Sequence, residues 1–391
     1  MQIESVDLFY LAIPNVRNIG DGSQDALLVR VRAGDYEGWG ECEAAPLVSI
    51  ASFVSPMSHS ACRPVRDGVL GQQLDTPDDI LRITSLVRHQ SFDLLQADHT
   101  LSGIDCALWD LLGKRYNKPV YQLLGYPHAY PKTAYASQLF GDTPEETRLK
   151  GVRVRESGFR AAKFGWGPFG LGSVDDDEAQ IKAAREGLGN DILLLVDAGT
   201  VWGDDIHAAM ARVPILRECR VTWLEEPFAT GALSAYSALA KECAPVSLAG
   251  GEGAHTPDQA KHLIDYGGIK YIQIDAGRIG GITSAYDVAK YAAGRGITYV
   301  NHTFTTPLAL SASLQPFAGI AADSLCEYPV EASSMAESLT IESLKVDANG
   351  LLHVPERPGL GMTPNPETIR QYLQAVEISV NGQVLYSTPN I

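Results

Sequence analysis

A regular alternation of short β-rich runs and helical stretches, from about residue 132 onward, constrains the fold of this chain more than any other feature. Each run ends in small or polar residues and is followed by a stretch with a helical pattern. Eight parallel strands are the number that closes a barrel, so the period predicts an α/β protein built on a (β/α)8-type barrel. The eight runs are TAYASQ (133–138), FRAAKFG (159–165), DILLLVDAG (191–199), VTWLEEP (221–227), VSLAGGE (246–252), KYIQIDAG (270–277), ITYVNHT (297–303) and SLCEYP (324–329).

The segment before the barrel has a different pattern. ALLVRVRA and DYEGWGECE, within residues 26–43, alternate around a turn and predict a β-hairpin. Residues 76–96 and 101–116 follow the helical period, and Pro127 then interrupts it. These elements predict an α+β domain over residues 1–127.

The tail after residue 356 is rich in proline and glycine, then helical, and ends in a possible strand, EISVNGQVLYS. We expect this tail to pack back on the N-terminal domain. The predicted division is therefore an N-terminal domain over 1–127 joined by 356–391, and a barrel domain over 128–355. A chain of 391 residues is long enough for a barrel of about 250 residues and a second domain.

The charge balance excludes two classes of partner. The formal net charge is −16, and nucleic acids and anionic membranes usually bind basic surfaces. We therefore expect no nucleic-acid partner and no membrane partner. A small anionic substrate is not excluded, because a metal ion inside a cleft reverses the local field.

The cysteines and the N-terminus predict a cytoplasmic protein. The six cysteines are scattered and form no CxxC pair, which disfavours zinc clusters and disulfide frameworks and favours reduced thiols. The first residues, MQIESVDLFYLAIP, lack the basic and long apolar regions of a signal peptide. No apolar stretch reaches about 18 residues, so we expect no membrane span.

Charged residues follow the predicted strands at a regular interval. Starting from Asp197, successive charged residues are separated by 28, 27, 23, 27 and 25 residues, and each gap equals one βα unit. In a barrel, residues one unit apart lie on adjacent strands at the same rim, so these groups should converge on one mouth. The residues are Lys163, Asp197, Glu225, Glu252, Asp275, His302 and Glu327.

Asp197, Glu225 and Glu252 follow three successive strands and are candidate metal ligands. Three carboxylates at one site repel each other, and each is costly to bury without a partner. A hard divalent cation removes that cost, and ligation by a few oxygens suits Mg²⁺. The alternative is that each carboxylate pairs with an arginine from another loop.

Asp275 and His302 follow the next two strands and are a candidate catalytic pair. A carboxylate bonded to one imidazole nitrogen fixes the tautomer and raises the basicity of the ring. The other nitrogen of His302 is then free to act as a base. The alternative is a structural histidine.

Five more residues are weaker candidates. Lys163 could hold a substrate oxygen or act as an acid, or it could only pair with Asp197. Glu327 could donate a proton to developing carboxylate charge, or only brace a neighbour. Substrate contacts are suggested for Tyr135 and Ser137, which share one side of the first barrel strand, and for Trp166.

This constellation resembles the enolase superfamily and, within it, the mandelate racemase-like subgroup. LSGIDCALWDLLGKRYNKPVYQLLGY (101–126) is similar to the family helix before the barrel. LVDAG, WLEEP and GGE are similar to its three metal-ligand motifs, and QIDAGRIGG and NHTF to its Asp–His dyad. Glu327 matches the acidic residue at the end of the eighth strand.

The resemblance implies a modified TIM barrel with an α+β capping domain, whose loops around 15–25 and 45–60 close over the substrate. It implies a bound Mg²⁺, removal of the proton next to a carboxylate, a small sugar acid as the partner, and a homo-oligomer. The GRIGG stretch (277–281) would be a loop around the site.

Two departures from the family pattern affect the expected reaction. The second lysine of the family KxK motif is Gly165 here, and the asparagine common two residues after the first ligand is Gly199. Racemases of this type move a proton between bases on opposite faces, and without that lysine His302 is the one evident strong base. The sequence therefore favours a sugar-acid dehydratase, acting on an aldonate or an aldarate, over a racemase or epimerase of a 2-hydroxy acid. A catalytically silent barrel that binds a ligand or partner is the third hypothesis, disfavoured by the intact triad and dyad.

Overall fold

An antiparallel sheet and four helices precede the barrel in the computed structural model, which describes all 391 residues. The strands, paired in sequence order, are β1 (Ile3–Ala12), β2 (Asp25–Ala33) and β3 (Tyr36–Cys42). The helices are α1 (Pro46–Val54), α2 (Pro77–Gln90), α3 (Ala97–Tyr116) and α4 (Val120–Leu123). Short 3-10 turns lie at Gly22–Gln24 and Val65–Gly68.

The predicted helices of this domain are present with shifted bounds. Thr76 begins α2 in a capping box with Asp79, as its sequence pattern indicates. The helix ends at Gln90 rather than at 96, because the Ser91 hydroxyl donates a hydrogen bond to the Arg63 carbonyl and turns the chain. Helix α3 begins four residues earlier than predicted, at Ala97.

The eight β-rich runs form eight parallel strands around one nearly closed barrel, which confirms the predicted architecture. They are β4 (Lys132–Leu139), β5 (Ala161–Gly165), β6 (Leu193–Asp197), β7 (Val221–Glu225), β8 (Ser247–Gly250), β9 (Tyr271–Asp275), β10 (Thr298–His302) and β11 (Leu325–Pro329). The hydrogen-bonded order is β10-β9-β8-β7-β6-β5-β4-β11.

Helices separate the barrel strands and cover them. They are α5 (Pro144–Glu156), α6 (Val174–Leu188), α7 (Ile206–Glu218), α8 (Leu233–Glu242), α9 (Pro257–Tyr266), α10 (Gly281–Ala293) and α11 (Pro307–Leu314), followed by a 3-10 turn at Gln315–Phe317. None of the helices combines the length and apolar content that a membrane crossing requires.

Side chains alternate between the two faces of the barrel strands. One set fills the barrel interior, and the other packs outward against the helices as the larger hydrophobic core. The interior set is Tyr135, Ala161, Leu195, Trp223, Ala249, Val300 and Leu325. These apolar side chains close the barrel below the rim, so the charged strand ends lie at a mouth rather than in a channel.

The C-terminal segment returns to the N-terminal sheet. After β11 the chain forms α12 (Ser334–Glu337) and β12 (Leu351–Leu352), which pairs antiparallel with β4 of the barrel, and then α13 (Pro366–Tyr372), β13 (Glu377–Val380) and β14 (Gln383–Ser387). The Tyr386 hydroxyl donates to the Leu8 carbonyl at 2.6 Å, and Leu373 forms a bridge with Leu11. From these contacts we propose that residues 356–391 belong with the N-terminal domain.

An asparagine side chain joins the two strands at the barrel seam, where β10 and β11 form no backbone ladder. Asn301 Oδ1 accepts from the Glu327 backbone N–H at 2.9 Å, and Asn301 Nδ2 donates to the Ser313 hydroxyl at 3.0 Å. A weaker contact joins Nδ2 to the Glu327 carbonyl at 3.4 Å. The Asn301 side chain therefore supplies the hydrogen bonds that a neighbouring strand would give to the backbone of Glu327, a predicted site residue.

We expect Asn301→Ala to lower the free energy of unfolding by about 2 to 3 kcal/mol, because it leaves the buried Glu327 N–H without an acceptor and removes the donor to the Ser313 hydroxyl. Urea unfolding monitored by tryptophan fluorescence measures this loss. Ser313→Ala is the matched control, since it removes only one of the partners and should cost about 1 kcal/mol. Equal stability of the two variants would contradict a seam function for Asn301.

Candidate active site

The carboxyl ends of the eight strands bring the predicted polar side chains to one mouth. Strand register places Gly165 beside Asp197, Asp197 beside Glu225, and His302 beside Asp275. A cavity of about 260 Å³ opens there and is lined by residues of both the barrel and the N-terminal domain. Of the predicted site residues, six line it: Ser137, Lys163, Trp166, Asp197, Glu252 and His302.

The three candidate metal ligands lie together in the structure. Asp197, Glu225 and Glu252 are buried, and each offers a carboxylate oxygen within 4.8 Å of the others. Burial raises the pKa of Asp197 to about 6, an effect that the Lys163 ammonium opposes and the Glu252 carboxylate reinforces. Burial also raises the pKa of Glu225 well above its usual range. Ionising these groups together is costly, so the cluster could hold a metal ion that offsets the repulsion.

A glycine makes room for this cluster. A Cβ atom on Gly165 would lie 2.7 Å from Cβ of Asp197 and 3.0 Å from its Oδ2 atom. A lysine at this position, as in the family pattern, would require the Asp197 carboxylate to move. The oxygen donor set and the space left by Gly165 both fit a small hard cation.

Lys163 contacts three carboxylates rather than Asp197 alone. Its Nζ atom lies 2.6 Å from Glu225 Oε1, 2.9 Å from Glu327 Oε1 and 3.5 Å from Asp197 Oδ2. Burial lowers the pKa of Lys163, but these carboxylates outweigh burial and raise the pKa well above its usual value. Lys163 is therefore an ammonium ion that neutralises part of the acidic cluster.

His302 and Asp275 form the predicted pair. His302 Nδ1 lies 2.7 Å from Asp275 Oδ2, and Asp275 Oδ1 accepts from the Gly277 N–H at 2.6 Å. The other ring nitrogen, Nε2, lies at the cavity, 3.0 Å from Glu252 Oε2. Burial lowers the pKa of His302, but Glu252, Glu327 and Asp275 together raise it to about 10. The ring is thus oriented by one carboxylate and presents its second nitrogen to the mouth.

Glu327 lies below the cavity and does not line it. Its Oε1 atom accepts from the Ser137 hydroxyl at 2.7 Å, and its Oε2 atom accepts from the Thr303 N–H at 2.8 Å. Together with the Lys163 ammonium, these donors occupy both oxygens of the Glu327 carboxylate, which serves as a hydrogen-bond acceptor. This geometry favours the bracing interpretation of Glu327 over proton donation.

Tyr135 is not in a position to contact a ligand in the cavity. It is fully buried in the barrel interior, edge-on to Trp223 at 5.6 Å between ring centroids, and is absent from the cavity wall. Ser137 lines the cavity, although its hydroxyl is bonded to Glu327. Trp166 also lines the cavity, and a Cβ atom on Gly199 would come within 2.8 Å of its indole.

The N-terminal domain supplies part of the wall. Residues Ile19–Gly22, in the loop before β2, line the cavity as predicted for the loop around 15–25. The second loop expected to close over the substrate, around 45–60, is in large part helical, because Pro46–Val54 forms helix α1. Only Glu43 and Ala44, immediately before that helix, line the cavity.

Glu43 and Arg278 are site residues that the sequence did not identify. Arg278 Nη2 donates to Glu43 Oε1 at 2.6 Å, and its Nη1 atom lies 3.6 Å from Glu252 Oε1. The Glu43 N–H donates to the Gly277 carbonyl at 3.1 Å, which ties β3 of the N-terminal domain to the loop after β9. Arg278 lies in the GRIGG stretch, a signal that could have been used, whereas Glu43 follows no barrel strand.

Glu226, beside the candidate ligand Glu225, supports a different part of the site. Its Oε1 atom accepts from the backbone N–H groups of Gly251 at 3.1 Å and Gly253 at 3.3 Å, on either side of Glu252. Burial raises the pKa of Glu226 to about 7. Glu226 therefore positions the loop that carries Glu252.

We expect Glu226→Ala to lower the free energy of unfolding by about 2 kcal/mol and to weaken divalent-cation binding by about 10- to 100-fold, because one buried and one half-buried N–H group lose their acceptor. Urea unfolding and calorimetric titration with Mg²⁺ measure the two effects. Glu226→Gln keeps an acceptor oxygen and should retain most of both properties. Equal losses in the alanine and glutamine variants would contradict this positioning function.

Comparisons with known proteins agree with the geometry. Residues 147–368 match the family model described as enolase C-terminal domain-like, and residues 18–125 match the N-terminal domain model of mandelate racemase / muconate lactonizing enzyme. A crystal structure described as a predicted mandelate racemase from Rhodobacter sphaeroides is 57% identical, with a TM-score of 0.95 and coverage of 100% of both chains.

Two curated relatives carry named activities. Arabinonate dehydratase of Saccharolobus solfataricus is 28% identical over 70% of this chain and 71% of that protein. D-galactarolactone cycloisomerase of Agrobacterium fabrum is 28% identical over 88% of this chain and 90% of that protein.

Proposed function

This chain belongs to the mandelate racemase and muconate lactonizing enzyme family of the enolase superfamily, and we propose that it is a Mg²⁺-dependent dehydratase of a sugar acid, either an aldonate or an aldarate. The observation that supports the proposal most strongly is the His302–Asp275 pair at the same mouth as three clustered carboxylates, with glycine at the position of the usual second base. The relatives named for dehydration of arabinonate and cycloisomerisation of a galactarolactone support a sugar acid as the substrate class.

We assign Asp197, Glu225 and Glu252 as the ligands of Mg²⁺. Three buried carboxylate oxygens are the donor set that this ion prefers, and few protein ligands leave positions for substrate. When bound, Mg²⁺ supplies a Lewis acid that stabilises the negative charge developing on the substrate carboxylate. The Lys163 ammonium, at the same cluster, can hold an oxygen of that carboxylate.

His302 performs the proton transfer in this proposal. Asp275 accepts the hydrogen bond from Nδ1, and Mg²⁺ held by Glu252 would offset the carboxylate charge that raises the pKa of His302. The neutral ring would then carry its lone pair on Nε2 at the cavity. Nε2 takes the proton from C2 of the substrate, and the electron pair left on carbon is delocalised into the carboxylate. Asp275 then stabilises the imidazolium that results.

Loss of the β-hydroxyl completes the reaction. The C3–O bond breaks as the C2–C3 double bond forms, and the departing oxygen takes a proton from the His302 imidazolium or from Lys163 to leave as water. The enol product takes a proton from solvent at C3, loses the proton of its C2 hydroxyl to solvent, and becomes a 2-keto-3-deoxy acid. The net change is the loss of one water molecule, with no oxidation or reduction of the substrate overall.

A racemase or epimerase of a 2-hydroxy acid is the alternative on the same scaffold. It requires a second base across the mouth from His302 to return the proton to the opposite face. Gly165 has no side chain, and Lys163 is bonded to Glu225 and Glu327. The structure therefore favours elimination with a single base.

A screen of mono- and diacid sugars with Mg²⁺ tests the proposed function. We expect at least one sugar acid to give a keto acid that reacts with semicarbazide, and this activity should disappear in EDTA and return when Mg²⁺ is added. Product of inverted configuration at C2, without keto acid, would support the alternative instead.

A further inference from the structure

The charges of the cavity wall are unevenly distributed. Its two permanent cations lie at the acidic floor and are already paired there. Lys163 contacts Glu225 at 2.6 Å, and Arg278 donates to Glu43 at 2.6 Å. One carboxylate group of a substrate can be matched at this floor, where the candidate metal ligands also lie.

A loop of the N-terminal domain spans the mouth above this floor. A Cβ atom on Gly20 would lie 3.0 Å from the Trp166 indole, so the loop contacts the β5 side. A Cβ atom on Gly22 would lie 3.3 Å from Glu43 Oε1 and 3.4 Å from the Phe304 carbonyl, so the loop also contacts the β10 side. Residues Ile19–Gly22 therefore form the roof of the cavity.

The cation beside the roof is Arg278, and it is already paired with Glu43, whose Oε1 atom lies next to Gly22. The rest of the wall there consists of apolar, aromatic and glycine residues with a second carboxylate, Asp21, whose Oδ1 atom accepts from the Ser23 N–H at 2.8 Å. Arg17 is the one cationic residue of the loop between β1 and β2, and it is exposed and does not line the cavity. A second substrate carboxylate under this roof would meet Asp21 and Glu43 without an unpaired cation, which is unfavourable.

We propose that the cavity selects sugar acids with a single carboxylate and an uncharged polyol end, so that aldonates are substrates and the matching aldarates are rejected. The inference rests on the proposed function and narrows it to one of the two substrate classes. In this arrangement Asp21 and Glu43 repel a second carboxylate.

Matched pairs of substrates test the inference. Each aldonate is assayed with Mg²⁺ beside the aldarate of the same stereochemical series, such as D-gluconate with D-glucarate and D-galactonate with galactarate. We expect kcat/KM for the preferred aldonate to exceed that of its aldarate by at least about 100-fold. Ile19→Arg, which adds a cation to the roof, should reduce this ratio at least about tenfold, whereas Ile19→Gln should leave the ratio unchanged.

The outcomes separate this inference from the proposed function. Keto acid formed equally well or better from aldarates would overturn the inference while leaving the dehydratase function intact. If Arg17→Ala then abolished the aldarate activity, Arg17 would be the distal cation that we exclude. No keto acid from either class would contradict the proposed function itself, and the inference with it.

Discussion

Replacing His302 with asparagine is expected to reduce kcat for keto-acid formation by about 10³- to 10⁴-fold. In our account Nε2 of His302 is the only base that reaches the proton at C2, and asparagine offers no basic nitrogen. The asparagine amide can still donate to Asp275, so the neighbouring carboxylate keeps a partner. Steady-state assays with the substrate found by the screen measure the loss.

The matched control for this variant is His353→Asn. His353 lies outside the cavity with 61% of its side chain exposed and pairs only with Asp347. Its replacement should leave kcat unchanged, and both variants should bind Mg²⁺ as the wild type does. Activity of His302→Asn within tenfold of the wild type would contradict our assignment of the base.

Asp197→Asn is expected to weaken Mg²⁺ binding by at least about 100-fold and to abolish turnover at millimolar Mg²⁺. The substitution keeps the size of the side chain but replaces one anionic ligand with a neutral amide. Calorimetric titration of the metal-free protein measures the affinity. Glu218→Gln, a change to an exposed carboxylate at the end of α7, is the control and should alter neither property.

The same substitution should have the opposite effect on the metal-free fold. Burial and the nearby Glu252 raise the pKa of Asp197 to about 6, so its ionised form destabilises the folded state above that pH. We therefore expect metal-free Asp197→Asn to be as stable as the wild type at pH 8, or more stable by about 1 to 3 kcal/mol. Clear destabilisation of the metal-free variant would indicate that Asp197 serves the fold rather than a cation.

The barrel could be predicted from the sequence because its strands are buried on both faces and are therefore short apolar runs. Each run also ends in polar residues at the rim, and these two signals give strand number and approximate ends without any knowledge of packing. The seam could not be predicted in this way. Nothing in ITYVNHT distinguishes Asn301 as the side chain that replaces backbone pairing between β10 and β11.

Substrate contacts were harder to predict, because the sequence does not show how far along the barrel axis each residue of a strand lies. Tyr135 and Ser137 share one side of β4, but two residues along a strand span about 6.6 Å. That distance separates the cavity wall, where Ser137 lies, from the barrel interior, where Tyr135 packs on Trp223. The alternation of side chains along a strand predicts which side a residue faces. Its position along the barrel axis, at the mouth or in the interior, is known only from the fold.

Contacts between the two domains could not be predicted from the sequence either. The rule that active residues follow barrel strands finds the triad and the dyad, but it cannot find Glu43, which follows a strand of the other sheet. Helix α1 had a usable signal, because Pro46 precedes an apolar stretch typical of a helix, yet the segment was interpreted as a loop. The pairing of Lys163 with three carboxylates likewise depends on distances in the folded state.

Turnover in deuterated water, followed by proton NMR, tests most directly the claim that one base removes the proton at C2 and that elimination follows. We expect a 2-keto-3-deoxy acid with one deuterium at C3, while unreacted substrate keeps its original configuration at C2. Recovered substrate with deuterium at C2 and inverted configuration, in the absence of keto acid, would show that a second base acts across the mouth and would contradict the account.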